Sequence, residues 1–367
     1  MVVHLVQGSL SYGSSAPSSA TGAYEIPDAT PGAYMLSASK NGFALAQTPI
    51  TVTKGGTLTV AITLKALSAP AAAAVGVRVI SMAGTSMTFE VDVASVTSDG
   101  TLGNPGAATF AIEPFTASGR TLTFNQVSTT ATATPSAGPY AAMFMLDQSG
   151  SISSTDPNHS RLTAAKAFMA KVGGSDRVRV GAFASGGSLP FTITLYGDWN
   201  SNGPSWYSTL DGLASKVSGG TPLYQAIAAA INEVSANGGM TNMAAVIFTD
   251  GDDTSGGWTI DQLVNLAVSR GVKLWTVGLQ VSGTGHQVLG ELAARTGGGF
   301  TIASDARQLV SYFGSLGAML GGGASIARTR WTVTSSAGGF NSGWMTTSVR
   351  VTTNEGTVSA PFYLKYP

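Results

Sequence analysis

The chain has 367 residues, 43% of them hydrophobic and only 10% charged, with Lys+Arg and Asp+Glu equal at 19 each. Sparse, balanced charge excludes a basic nucleic-acid-binding face, and the hydrophobic fraction excludes a chain disordered over most of its length. With no cysteine, disulfides and thiolate metal sites are excluded, so two or three domains must hold by packing alone.

Residues 1–66 read as short strands. The stretches "HLVQGSLSY", "GAYEI", "GAYMLSAS", "QTPITVT" and "TLTVAITLK" alternate apolar and polar residues between Gly-, Pro- and Asn-rich turns, which predicts a small β-sandwich. The pieces Tyr24-x-Ile26, Pro31-Gly32-x-Tyr34 and Asn41-Gly42-Phe43 resemble the carboxypeptidase regulatory-like (transthyretin-like) family, with the first half of its pattern shortened. Residues 67–76, "LSAPAAAAVG", are expected to be a linker, because Pro70 and the lack of an amphipathic pattern argue against a helix.

Residues 77–138 return to β texture in "VRVIS", "SMTFEVDVASV", "ATFAIEPF" and "TLTFNQVSTTATAT", and residues 326–367 share it in "RTRWTVTSS", "WMTTSVRVTT" and "APFYLKY". The last stretch is too short to make a sandwich by itself. The two are expected to pair into one discontinuous β-sandwich with residues 139–322 inserted, since the termini of an inserted domain usually lie close together.

The inserted segment alternates strands and helices. Residues 140–146, 177–184, 191–196, 243–249, 272–279 and 298–303 are strand candidates, several apolar on nearly every residue, as strands covered on both faces must be. Leu223, Ile227, Ile231 and Val234 fall on one helical stripe, and Leu309, Phe313, Leu316 and Leu320 on another. The interval between Ala184 and Phe191 is too short for a helical crossover, so those strands form an antiparallel hairpin. The fold class is therefore a multidomain chain with a doubly wound α/β (Rossmann-like) domain inserted in a β-sandwich, preceded by a second small sandwich. In such sheets ligands bind at the C-terminal ends of the strands.

Asp147 follows the first apolar strand, with Ser149 and Ser151 in the same loop; Asp250 ends another strand; Thr221 lies in the Gly-rich turn that opens a helix. Two carboxylates and three hydroxyls thus reach one rim. Hard divalent cations take oxygen ligands, and two carboxylates balance the ion's charge. Asp147-x-Ser149-x-Ser151, Thr221 in "GGTPLYQAI" and Asp250 in "FTDG" resemble the metal-ion-dependent adhesion site of von Willebrand factor type A domains. "SDRVRVGAFAS", "GVKLWTVGL" and "LGELAARTGGGFTIASDARQLVSYF" agree with that family over 139–322. The resemblance implies a divalent cation, Mg2+ first and Ca2+ or Mn2+ as alternatives, whose remaining position accepts an Asp or Glu carboxylate from a protein partner.

The competing readings explain less. Asp147 and Asp250 could cap turns and helices, but this treats each residue singly and leaves their convergence unexplained. Ser149 is not in a G-x-S-x-G elbow, and no general base is placed beside the cluster, so no enzymatic role is expected. His4, His159 and His286 have no zinc-site spacing. Trp258 and Asp252, in the loop after Asp250, are candidate partner contacts.

The expected function is an extracellular adhesion or assembly protein of a bacterium. The alternative is a structural surface or filament subunit in which metal only stabilises the fold. No apolar run is long enough to span a bilayer, and "MVVHLVQGSL" has neither the basic start nor the cleavage site of a signal peptide. The composition points to a secreted or cell-surface protein whose signal has been removed.

Overall fold

The computed structural model describes residues 1–367 apart from 8–9, 16–17, 20, 40–42, 44–45, 65, 67, 136, 341–342 and 367. The chain divides into two compact units, Met1–Ser68 and Ala69–Pro367. The first contains β1 (Val2–Gln7), β2 (Leu10–Ser14), β3 (Gly32–Ser39) and β4 (Ala46–Val52), in one antiparallel sheet of order β2-β1-β3-β4. Its core is Val3, Leu5, Tyr34, Leu36 and Ala38, all buried. Two expected strands differ. Residues 22–26 and 57–64 turn Tyr24, Ile26, Val60, Ile62 and Leu64 onto this core, but are assigned to no strand. Their alternation specifies which side chains face inward, not a backbone partner. The expected Asn41-Gly42 turn lies outside the described residues.

The second unit opens with β5 (Ala71–Ala83) and β6 (Ser86–Val96), followed by β7 (Thr109–Ala111), β8 (Phe115–Ala117) and β9 (Arg120–Ala133). The α/β segment is β10 (Ala141–Asp147), α1 (Ile152–Thr155), α2 (Ser160–Met169), β11 (Arg177–Phe183), β12 (Ile193–Leu195), α3 (Tyr207–Asp211), α4 (Leu223–Asn237), β13 (Met243–Thr249), α5 (Ile260–Ser269), β14 (Val272–Leu279), α6 (Thr284–Thr296), β15 (Phe300–Ala303) and α7 (Ala306–Gly321). The chain closes with β16 (Ser325–Ser335), β17 (Gly343–Thr353) and β18 (Gly356–Tyr366).

Strands β11, β10, β13, β14 and β15 run parallel, and β12 pairs antiparallel with β11 through Gly181–Leu195, Ala182–Thr194 and Phe183–Ile193. The sheet has two covered faces. On one, Leu162 and Phe168 of α2 and Leu309, Phe313 and Leu316 of α7 pack on Phe144, Leu146, Val246 and Phe248. On the other, Leu223, Ile227 and Ile231 of α4, Leu263 of α5 and Leu289 of α6 pack on Met143, Met145 and Ile247. This double covering is why β10 is apolar at every position before Asp147.

Strand β6 pairs with β16, and β16 with β9, so the flanking segments of the chain join on one sheet. A three-stranded sheet, β18-β17-β7, shares a core with them through Phe89, Val91, Trp331, Val333, Val349 and Phe362.

The expected linker over 67–76 is corrected here: β5 begins at Ala71. It pairs with β6 along its length and with β15 at Phe300–Ala74, so a single eleven-stranded sheet runs from the α/β segment into the sandwich. The side chains alternate as in any strand. Ala71 and Ala73 enter the core of α2 and α7, whereas Ala72 and Ala74 enter the core of the sandwich. Four identical residues conceal a period of two, which is why the sequence shows no pattern there.

One polar network crosses this sheet. Glu90 and Asp92 on β6 are buried, and Arg78, Arg328 and Arg330 close over them. Arg328 forks onto Asp92 at 2.8 and 3.0 Å, and Arg330 donates to Glu90 at 2.6 and 2.9 Å. Burial alone would raise both carboxyl pKa values, but the arginine hydrogen bonds and charges outweigh it and hold both below the ordinary range. A carboxyl with a lowered folded pKa contributes stability above its unfolded value and loses it as pH falls through the folded one. Asp92→Asn is therefore expected to cost about 1–2 kcal/mol at neutral pH, discounted because the arginines are partly exposed. The deficit should shrink on acidification below pH 4. Denaturant melts of both proteins between pH 7 and 3 check it; a constant gap would contradict the linkage.

Candidate metal centre

Asp147 is the last residue of β10 and pairs in register with Phe183 of β11, which puts its carboxylate at the C-terminal edge of the sheet, 0% exposed. Both oxygens are engaged. Oδ1 accepts the Ser149 backbone N–H at 2.7 Å, closing the turn, and Oδ2 accepts the Thr249 hydroxyl at 2.6 Å. Thr249 ends β13, and only the parallel pairing of β10 with β13 makes these two strand ends neighbours.

The remaining oxygens form a chain across the loops. Ser149 Oγ lies 3.1 Å from Ser151 Oγ, Ser151 donates to Asp250 Oδ1 at 2.8 Å, and the Thr155 hydroxyl donates to Asp250 Oδ2. Thr221 is nearly buried, and its hydroxyl lies beside Gly251, 3.7 Å from where a Cβ on that glycine would sit. Its backbone is fixed against the loop after β13: Thr221 N–H donates to Thr254 Oγ1 at 2.7 Å and Thr221 O accepts from Thr254 N–H at 2.9 Å.

The loops interlock through their main chains. Gly150 N–H donates to Gly219 O at 2.8 Å, and Ser218 N–H donates to Gln148 O at 2.9 Å. Gly219 has φ +75°, and a Cβ there would fall 2.2 Å from the Gly186 nitrogen. Only glycine permits both the left-handed backbone and this approach.

Asp147, Ser149, Ser151 and Asp250 are thus joined by direct or neighbouring hydrogen bonds, with Thr221 at the same edge. Thr155 and Thr249 complete the cluster and were not singled out in the sequence. Thr249 is visible there as the polar end of an apolar strand; Thr155 carries no such signal. Of the two candidate partner contacts, Asp252 is exposed and its Oδ1 lies over the first turn of α6, 2.6 Å from where a Cβ on Gly285 would sit. Trp258 is partly buried and packs with the α4–α5 core.

Burial pushes the Asp147 carboxyl up to about 6; the hydrogen bonds from Thr249 and Ser149 oppose this rise, and the Asp250 carboxylate adds to it. Among the described residues no lysine, arginine or histidine forms an ion pair with Asp147 or Asp250. A buried carboxylate without a basic partner, beside a second carboxylate, is the environment a cation relieves. The donors are all oxygen, which fits a hard divalent ion and not a soft one. Among the described residues no three His, Cys, Asp or Glu side chains gather at one point, so the hydroxyls are indispensable to any such set.

Two families match the chain. Residues 143–314 match the von Willebrand factor type A domain, and residues 1–65 match the carboxypeptidase regulatory-like domain. No curated protein sequence matches. Among solved structures, the chain is similar to the pilus adhesin SpaC of Lactobacillus rhamnosus GG, at 12% identity and a TM-score of 0.43 over 79% of this chain and 47% of that one. It is similar to a von Willebrand factor type A protein from Catenulispora acidiphila, at 10% identity and a TM-score of 0.42 over 81% and 72%. A third is proximal thread matrix protein 1 of the mussel byssus, at 15% identity and a TM-score of 0.39 over 55% and 50%. The chain spans about half the length of the adhesin and of the byssus protein.

Proposed function

We propose, for a chain that carries a von Willebrand factor type A domain at residues 143–314 and a carboxypeptidase regulatory-like domain at residues 1–65, an extracellular adhesion or assembly role exercised through a divalent cation. Asp147, Ser149, Ser151, Thr221 and Asp250 would hold the ion, with Mg2+ the first candidate and Ca2+ or Mn2+ compatible with the same donors. When bound, the ion supplies an electrophilic position for a carboxylate of a protein partner. The protein's part is to present that position. Asp147 and Asp250 supply the compensating charge, and the hydroxyls orient without adding to it.

The observation that carries this reading is the hydrogen-bonded chain Ser149–Ser151–Asp250, whose Ser151–Asp250 link joins residues 99 positions apart, beside a buried Asp147 with no basic partner among the described residues. We read the arrangement as a binding one, because its hydroxyls and carboxylates converge as one set of oxygen donors. We assign the sandwich formed by 77–138 and 326–367 the task of displaying the α/β domain at a cell surface. Among the described residues no helix is long and apolar enough to cross a membrane.

The test is capture of the partner from native surface extracts on the immobilised chain, with Mg2+, with Ca2+ and with chelator. A partner retained with cation and released by chelator, and absent from Asp147→Ala, is the expected result. Retention through both chelator and Asp147→Ala would refute the proposal.

A further inference from the structure

Behind the 147–151 loop lies a charged group at the start of α2. Arg161 is wholly buried, which is rare for arginine and requires a partner. Its guanidinium has two close ones, and His159 Nδ1 lies farther off, 3.5 Å from Nη1. Nη1 donates to Asp156 Oδ2 and Nη2 donates to Gln148 Oε1, each at 2.9 Å. Asp156, 1% exposed, is held in turn by the backbone N–H groups of Ser160 and Arg161 at 2.6 and 3.0 Å. Gln148 is the residue between Asp147 and Ser149, and it too is fully buried. A guanidinium only donates, so the Gln148 amide must turn its oxygen to Arg161. The consequence is that, among the described residues, neither Gln148 Nε2 nor Arg161 Nε has a protein acceptor.

An enclosed ion pair is a poor source of stability, because both charges lose their hydration. Two buried nitrogens without a protein acceptor add to the cost. What the planar fork supplies is direction. Here it points at the residue where three walls of the site meet. Gln148 N–H donates to Phe183 O at the end of β11, and Gln148 O accepts from Ser218 N–H in the loop that leads to Thr221, each at 2.9 Å. Its two neighbours in the chain are Asp147 and Ser149.

We infer that Asp156, Arg161 and Gln148 form a positioning relay that sets the Asp147 and Ser149 oxygens at the spacing a divalent cation needs. The inference rests on reading the cluster as a cation site. None of the three residues need touch the ion: Asp156 orients Arg161, Arg161 orients the Gln148 amide, and Gln148 fixes the loop from behind.

The test titrates Mn2+ into the full chain by calorimetry and by electron paramagnetic resonance, with metal-free thermal midpoints recorded alongside. Gln148→Met keeps the side-chain length and removes the acceptor while the ion pair remains. The pair Arg161→Met with Asp156→Leu removes both charges together, a replacement that buried pairs often tolerate. Each is expected to weaken Mn2+ binding about 10–100-fold, the usual effect of losing an outer partner of a ligand, and to broaden the bound Mn2+ spectrum. Arg161→Lys, which retains charge but lacks the second arm, should weaken it as well. Combining all three substitutions should cost no more than the larger single effect, since both remove one link.

A folded Gln148→Met protein with Mn2+ affinity within about twofold of wild type would overturn the relay, as would losses that multiply in the combined variant. A wild-type chain that takes up no Mn2+ would overturn the cation reading itself, and the relay with it.

Discussion

Replacing Asp147 with asparagine is expected to abolish divalent-cation uptake and, in the same protein, to stabilise the metal-free fold at neutral pH. The two effects share one cause. The Asp147 carboxylate is fully enclosed, accepts from Thr249 and the Ser149 backbone, and has no basic partner among the described residues. On the proposed reading, its negative charge is useful to a bound cation. Asparagine keeps an acceptor for the Ser149 N–H and removes the charge. If Asp147 is a ligand, as proposed, its loss should weaken Mn2+ or Mg2+ binding by more than ~100-fold, since even outer partners of a ligand are worth about 10–100-fold. Calorimetric titration measures the first effect and melts in chelator measure the second. An asparagine variant that is less stable than wild type without metal would show that the carboxylate is satisfied by the protein alone.

A second large effect is the pH dependence of the metal-free protein. Burial holds the Asp147 carboxyl up at about 6, above its unfolded value of 3.8. A raised carboxyl is the reverse of the usual acid: the folded state binds the proton more tightly, so stability is greatest below the unfolded pKa and is lost as pH rises through about 6. The two values lie about two pH units apart, and each unit is worth ~1.36 kcal/mol, so the loss between pH 4 and 7 is on the order of 3 kcal/mol. In chelator, the melting midpoint should climb as pH falls from 7 towards 5. The lowered carboxyls of Glu90 and Asp92 then reverse the trend at more acid pH. If the site takes Mg2+ as proposed, the rise between pH 7 and 5 should vanish in its presence, because the ion would stabilise the charged form and be lost on protonation. A flat profile in chelator, with and without Asp147→Asn, would contradict this account.

The parts of the fold legible in the sequence are those with a local signature. Strands buried on both faces must be apolar throughout, so β10, β13 and β14 stand out, and the polar residues that close β10 and β13 mark the sheet edge. The short interval between Ala184 and Phe191 allows only a hairpin, and β12 pairs antiparallel with β11. The stripes through Leu223 and Leu309 became α4 and α7. Where the signature is absent the reading falls short. The alanines of 71–74 divide between two cores, yet four identical residues display no alternation. Residues 57–64 display alternation but lack a ladder, because pairing depends on a partner strand and not on the segment itself.

The candidate site divides along the same line. Asp147, Ser149, Ser151, Thr221 and Asp250 can be picked out because each sits at a strand end or a glycine-rich turn, positions that a doubly wound topology brings to one rim. The hydroxyl of Thr249 on Asp147, that of Thr155 on Asp250, and the enclosure of Arg161 against Gln148 could not be picked out. An arginine in the first turn of a helix, close behind a polar turn, reads as solvated. Amino-acid order by itself determined which backbone stretches are strands, which are helices, and which polar groups end them, since these follow from periodicities of two and of 3.6. Only the tertiary structure decided which of those polar groups lose their water and whom they then face. Desolvation is a property of everything packed around a group, and no window of sequence contains it.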